Sequence, residues 1–149
     1  MLKHCKLCNL VAKANQKNLS TLLCETDVSI SVMGEHQFYE GYAVVISKIH
    51  VREMHSMSQT VSNQLFNDVL NLGRAIDCAY KPLKINYASL GNIEEHLHWH
   101  IFPRYESDPN HKDNPWSNAS EFGHHLTTPH HTEQVRLKLS PFLSPFLSP

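Results

Sequence analysis

Residues 96–102 read His-Leu-His-Trp-His-Ile-Phe, three imidazoles alternating with large apolar side chains. A period of two is the mark of a strand. At a rise of about 3.3 Å per residue, neighbouring imidazoles start roughly 6.6 Å apart on one face while Leu97, Trp99 and Ile101 turn toward a core. On a helix the three would not share a face. Such a row admits two kinds of chemistry. Two histidines at i and i+2 can both reach a zinc ion, and an open three-histidine site would activate a water. Alternatively, one histidine is a nucleophile and its neighbours are electrostatic or acid partners. A bare surface row is disfavoured, because every intervening residue is bulky and apolar. Upstream, Cys5-Lys6-Leu7-Cys8 has the spacing of half a zinc site. A redox motif is disfavoured there, since no strand precedes the pair. Cys24 and Cys78 have no partner pattern and read as small core residues.

The elements that must position these groups follow from the hydrophobic pattern. Val28, Ile30 and Val32 alternate with polar residues as in a half-buried strand. Gly34 and Gly41 flank a hairpin turn, and residues 43–46 pair back as a second strand, with His50 beyond its end. From 58 to 80 the positions Val61, Leu65, Val69, Leu72 and Ile76 form the stripe of an amphipathic helix that Pro82 stops. Residues 83–89 make a third strand, and a polar connection leads into the histidine strand. Two hairpin-like pairs around a helix predict an α+β fold with an antiparallel sheet. Beyond Arg104, Pro, Asn, Ser and His prevail without periodicity. That stretch predicts an irregular segment anchored by Trp116, and the prolines of the terminal Ser-Pro-Phe-Leu repeat favour extended backbone.

At 149 residues the chain fits one domain with its own core. Thirteen basic and fourteen acidic residues give a net charge of −1, which excludes the standing positive field that binds nucleic acid polymers or membrane surfaces. No apolar run is long enough for a secretion signal or a membrane span, so a cytoplasmic protein is expected. In a reducing compartment four cysteines are not a disulfide framework.

The row at 96–102 fits His-φ-His-φ-His-φ-φ, with φ apolar, at all seven positions; Gly91-Asn92 precedes it and Asn86 lies on the strand before. On these residues the chain resembles the histidine triad (HIT) family of nucleotide hydrolases and transferases. The run His-Leu-His-Trp-His-Ile-Phe-Pro-Arg-Tyr, followed by Asp-Pro and Pro-Trp, is similar to its bacterial diadenosine tetraphosphate hydrolase-like branch. The similarity covers about Cys5 to Trp116. It implies a five-stranded antiparallel half-barrel sheet with one long helix, assembled as a homodimer. Residues 1–116 would be the nucleotide-binding catalytic domain and 117–149 an irregular Pro/His-rich extension.

The resemblance also implies roles. His98 would attack the α-phosphorus of a dinucleoside polyphosphate or nucleoside phosphoramidate, giving a nucleotidyl-imidazole that water hydrolyses. His100 would contact the phosphate or protonate the leaving group, and Asn92 and Asn86 would donate to phosphate. Cys5, Cys8, His50 and His96 would hold a structural zinc, and no catalytic cofactor would be required. Apolar residues near Val28, Ile30 and Phe38 would line a base pocket or serve as ordinary core. The family's usual Pro-Gly-His is here Glu40-Gly41-Tyr42, which keeps only the glycine. Two other functions compete: a zinc-dependent hydrolase with a metal-activated water, and a non-catalytic nucleotide sensor or scaffold.

Overall fold

The computed structural model describes residues 5–143. In chain order the elements are α1 (Lys6–Asn15), β1 (Leu22–Glu25), β2 (Ser29–Met33), β3 (Ala43–Ser47), α2 (Gln59–Tyr80), β4 (Lys84–Ala88), β5 (His98–Arg104) and α3 (Pro129–Leu143). Short 3-10 turns at Met54–Ser56 and Pro115–His124 join them. All five strands lie in one antiparallel sheet of order β1-β2-β3-β5-β4. The α+β fold with a five-stranded antiparallel sheet and one 22-residue helix is therefore as expected.

Ser58 caps α2 by accepting from the Val61 N–H, and Lys81 ends it in the left-handed region at φ 51°, just ahead of Pro82. Its stripe Leu65, Val69, Leu72 and Ile76 is buried against one face of the sheet, together with Leu23, Val45, Ile101 and Leu97. On the other face, Val11 and Ala14 of α1 and the rings of Tyr39 and Tyr42 cover Ile30, Val32, Val44, Ile46 and Phe102. Strand β5 lies between β3 and the edge strand β4. Ile101 turns toward α2, and His98, His100, Phe102 and Arg104 turn toward α1.

Four expectations need correction. First, His96 lies outside the ladder, because β5 begins at His98. The pattern of side chains alternates through 96, but backbone pairing there passes to Leu97, which exchanges bonds with Ser47 and Val51. Second, the stretch from 117 to 143 is not irregular. Thr132, Val135, Leu139 and Leu143 of α3 recur at helical spacing and are buried in the same core as α2. Third, Pro141 does not break α3. Its missing N–H would leave the Leu137 carbonyl unpaired, and Ser140 Oγ donates to that carbonyl at 3.0 Å. The rest of the terminal repeat, 144–149, lies outside the described residues. Fourth, Cys78 is exposed rather than core. The helix α1 and the strand β1 were not legible at all.

Candidate functional site

Backbone pairing with β3 sets the histidines in register, His98 opposite Ile46 and His100 opposite Val44. His98 is buried, and its Nδ1 lies 2.7 Å from the carbonyl oxygen of His96. A carbonyl only accepts, so Nδ1 carries the proton. A neutral His98 then presents the bare lone pair of Nε2. That Nε2 lies 3.1 Å from Nε2 of His100, whose Nδ1 lies 2.7 Å from the Tyr42 hydroxyl. Burial first, then the neighbouring His98 and His36, pushes His100 down to about 4, so it is neutral at pH 7.

His96 has other partners. Its Nε2–H donates to the Ser47 carbonyl at 2.7 Å, which leaves Nδ1 bare, 3.5 Å from Cys5 Sγ and 3.4 Å from Cys8 Sγ. His50 Nδ1 stands 3.2 Å from Cys8 Sγ, and all four ligand atoms lie within 4.8 Å of one another. Metal bonds of about 2.0–2.3 Å in a tetrahedron give ligand edges of roughly 3.3–3.8 Å, so the donor set fits a closed Cys₂His₂ site. The local sequence builds it. Cys5 is the N-cap of α1, its Sγ accepting from the Cys8 N–H, and one helical turn brings the two sulfurs together. Burial holds His96 below the ordinary histidine range, which favours the neutral form that ligates. The four expected ligands are thus brought together and could hold a metal ion.

The two asparagines fare differently. Asn86 pairs with Phe102 across β4 and β5, and its Oδ1 accepts from Arg104 Nη1 at 2.9 Å. With the oxygen engaged, the NH₂ end is what the amide has left to offer as a donor. Asn92 is exposed on the loop after Gly91, and among the described residues it is bonded to neither histidine. Gly91 does line a cavity of about 280 Å³ that opens beside His98, with Arg52, Ser89, Leu97 and Trp99 in its walls. The indole Nε1–H of Trp99 is the buried side-chain donor left without a partner among the described residues. The three residues expected at a base pocket divide between the two faces of the sheet. Ile30 and Phe38 belong to the α1 side, and Val28 packs on the α2 side.

Sequence reasoning missed the buried Arg104. Its Nε donates to Asp108 Oδ2, Nη1 to the Asp113 carbonyl and Nη2 to the Asn110 carbonyl, and its guanidinium lies 4.8 Å from the centre of the Tyr39 ring. It thereby gathers residues 105–114 into a strap. Tyr39 Oη donates to the Pro115 carbonyl and accepts from Asn118 Nδ2, which carries the strap onward. Trp116 then stands edge-on to His100 at 5.4 Å and to Phe102 at 5.1 Å, the anchor expected of it. Phe122 stacks on His36 at 3.7 Å. The available signal for Arg104 was parity, since it is on the face of His98, His100 and Phe102.

Comparison with known proteins agrees with this fold. The chain is 26% identical over 110 residues to Protein hit of Bacillus subtilis (strain 168), an alignment covering 69% of this chain and 72% of that protein. Its fold superposes on a histidine triad protein from Marinobacter aquaeolei VT8 with TM-score 0.71 at 20% identity, covering 83% of this chain and 88% of the other. A HIT family member from Bacillus subtilis superposes with TM-score 0.65 at 21% identity over 99% of both chains. Among the described residues no helix is long and apolar enough to cross a membrane. The family profile described as HIT domain matches residues 15–107, more than half of the sequence, and the chain belongs to that family, whose members are in general nucleotide-binding proteins and hydrolases.

Proposed function

We propose that the protein is a nucleotide hydrolase or nucleotidyl transferase that cleaves at the α-phosphate of dinucleoside polyphosphates or nucleoside phosphoramidates. His98 Nε2 attacks the α-phosphorus, a P–N bond forms, and the leaving group departs with the electron pair of its former bond to phosphorus. Water then attacks the same phosphorus and the imidazole leaves as it entered. The observation that carries this reading is the bond between His98 Nδ1 and the His96 carbonyl, which holds the lone pair of a neutral ring at Nε2. A neutral nucleophile approaches a polyanion without repulsion. His100 is placed to donate to a phosphate oxygen, and the NH₂ of Asn86 to add a second donor. Asn92 would join them by a movement of its exposed loop. Such donors stabilise the growing charge in place of a lysine or magnesium ion.

Cys5, Cys8, His50 and His96 would hold a structural zinc, which ties the N-terminal helix to the residue before β5. Four protein ligands leave no position for a reacting water, which disfavours the metal-activated hydrolase. The homodimer is supported by exposed Leu83, Tyr87, Leu90 and Ile93 on and beside the open edge of β4. Sedimentation checks that assembly.

Replacing His98 by Ala should lower turnover of diadenosine tetraphosphate and of an adenosine phosphoramidate by at least about 10³-fold while the fold and nucleotide affinity persist. Acid-quenched wild-type protein incubated with labelled substrate should carry label on His98. Undiminished turnover in the variant would sink the nucleophile, and tight nucleotide binding without turnover in the wild type would favour a sensor.

A further inference from the structure

Tyr42 stands where the family pattern has a histidine, and no role in the reaction has yet been given to it. It is 5% exposed, and its place is tightly made. One face of the ring stacks on Phe102 at 4.1 Å, and a Cβ built on Gly34 would fall 2.1 Å from Tyr42 Cδ1. Glycine at 34 is thus what admits the ring. The Gly34 N–H also donates to the Tyr42 carbonyl at 2.9 Å, and Gln37 Nε2 donates to the same oxygen at 2.8 Å. Backbone and ring are both held, and the hydroxyl ends 2.7 Å from His100 Nδ1.

The protons along this line can be assigned by requiring one donor and one acceptor at each contact. The His96 carbonyl takes the proton of His98 Nδ1, so a neutral His98 offers a lone pair at Nε2. The 3.1 Å contact between the two Nε2 atoms then needs His100 to donate. A neutral His100 that donates from Nε2 has a bare Nδ1, and a bare Nδ1 at 2.7 Å needs a donor. Among the described residues the Tyr42 hydroxyl is the group there to supply it.

From this geometry we infer that Tyr42 is a positioning residue for the reaction: its hydroxyl donates to His100 Nδ1 and holds His100 as the Nε2–H tautomer, with that N–H aimed at the point where His98 meets phosphorus. The inference rests on the reading of His98 as nucleophile for its catalytic consequence, but the tautomer itself does not depend on turnover. With the opposite tautomer, His100 would present a lone pair to a phosphate oxygen and repel it. Tyr42 acts through His100.

The test uses the full chain, labelled with ¹⁵N at histidine, near pH 7.5. Long-range ¹H–¹⁵N spectra should show wild-type His100 protonated at Nε2 and bare at Nδ1. In Tyr42→Phe, which keeps the ring and its stacking, His100 should become a mixture of tautomers. In the same variant kcat should fall about tenfold or more with KM changed less than about twofold, and Tyr42→His, which restores a donor, should recover part of the loss. A wild-type His100 protonated at Nδ1 would overturn the proposal, as would a Tyr42→Phe protein with the wild-type tautomer or wild-type kcat. If Tyr42→Phe fails to fold, the wild-type spectrum alone still decides the tautomer. Should the wild type turn over neither substrate while His100 holds the Nε2–H form, the proposed activity fails and the assignment of Tyr42 as the donor stands.

Discussion

The two ends of β5 are tied down by different chemistry. Ahead of His98, the tie is Cys5, Cys8, His50 and His96, four groups whose contacts suit an ion between them. Beyond His100, the tie is Arg104, whose guanidinium meets Asp108, Asn86 and two strap carbonyls with side-chain exposures of 2% for Arg104 and 7% for Asp108. The first tie is conditional on what binds it. The second is made by the chain alone. Both flank His98 and His100, so the proposed nucleophile sits between a support that an ion would complete and one that the chain makes alone.

The contrast can be broken most forcefully at Arg104. Truncation to Ala leaves Asp108 buried without its cation and two carbonyls without a donor, and should cost about 3–5 kcal/mol in chemical denaturation. An unchanged stability would show that the strap does not depend on it. At the other end, a strong chelator should remove about 2.7 kcal/mol where the ion had been present at 100 times its dissociation constant. That corresponds to roughly 2–4 °C in melting temperature for each kcal/mol. Hydrogen exchange should quicken in α1 and leave 105–118 protected; equal loss at both ends would erase the distinction.

Acid separates the ends more gently. Burial first, then the facing His125, pushes His36 down to about 4 beneath Phe122. The folded state then binds fewer protons than the unfolded chain, in which histidine titrates near 6.5. The stability of the strap is therefore complete above about pH 6.5 and falls as the pH drops toward 4. One such group contributes up to about 1.4 kcal/mol for each pH unit in that window. His36→Asn should flatten the slope of stability against pH between 6.5 and 5; an identical slope in the variant would place the acid response elsewhere.

Part of the candidate site was legible because strands and paired cysteines announce themselves by spacing, whereas His50 and His96 were joined to the pair only by resemblance to the family. The alternation at 96–102 found β5, and the i, i+3 cysteine pair found half of a metal-ligand set without showing the helix α1 that holds it. Periodicity does not show where a ladder begins, so His96 was put inside a strand that starts two residues later. Helix α3 was hidden by Pro141, because the rule that proline ends a helix takes no account of a neighbouring serine bonding the abandoned carbonyl. Its stripe of Val135, Leu139 and Leu143 was present in the sequence all along. Tyr42 and Arg104 were passed over for a different reason. One lies in a turn and the other past the motif, and their partners, His100 and the strap, are distant in sequence or irregular.

The separations along the chain also say something about how the protein comes to exist. Cys5 meets His96 across 91 residues, Tyr39 reaches Pro115 across 76, and Gly34 accepts from Thr127 across 93. Contacts of that span form slowly, because long loops must close before they are rewarded. During synthesis β2 and β3 emerge long before the segment that covers their aromatic face, and the sheet waits with His36 and Phe38 bare. The nascent chain is most open to aggregation in that interval. The histidine pair acquires its full surroundings only once the strap that carries Trp116 has left the ribosome.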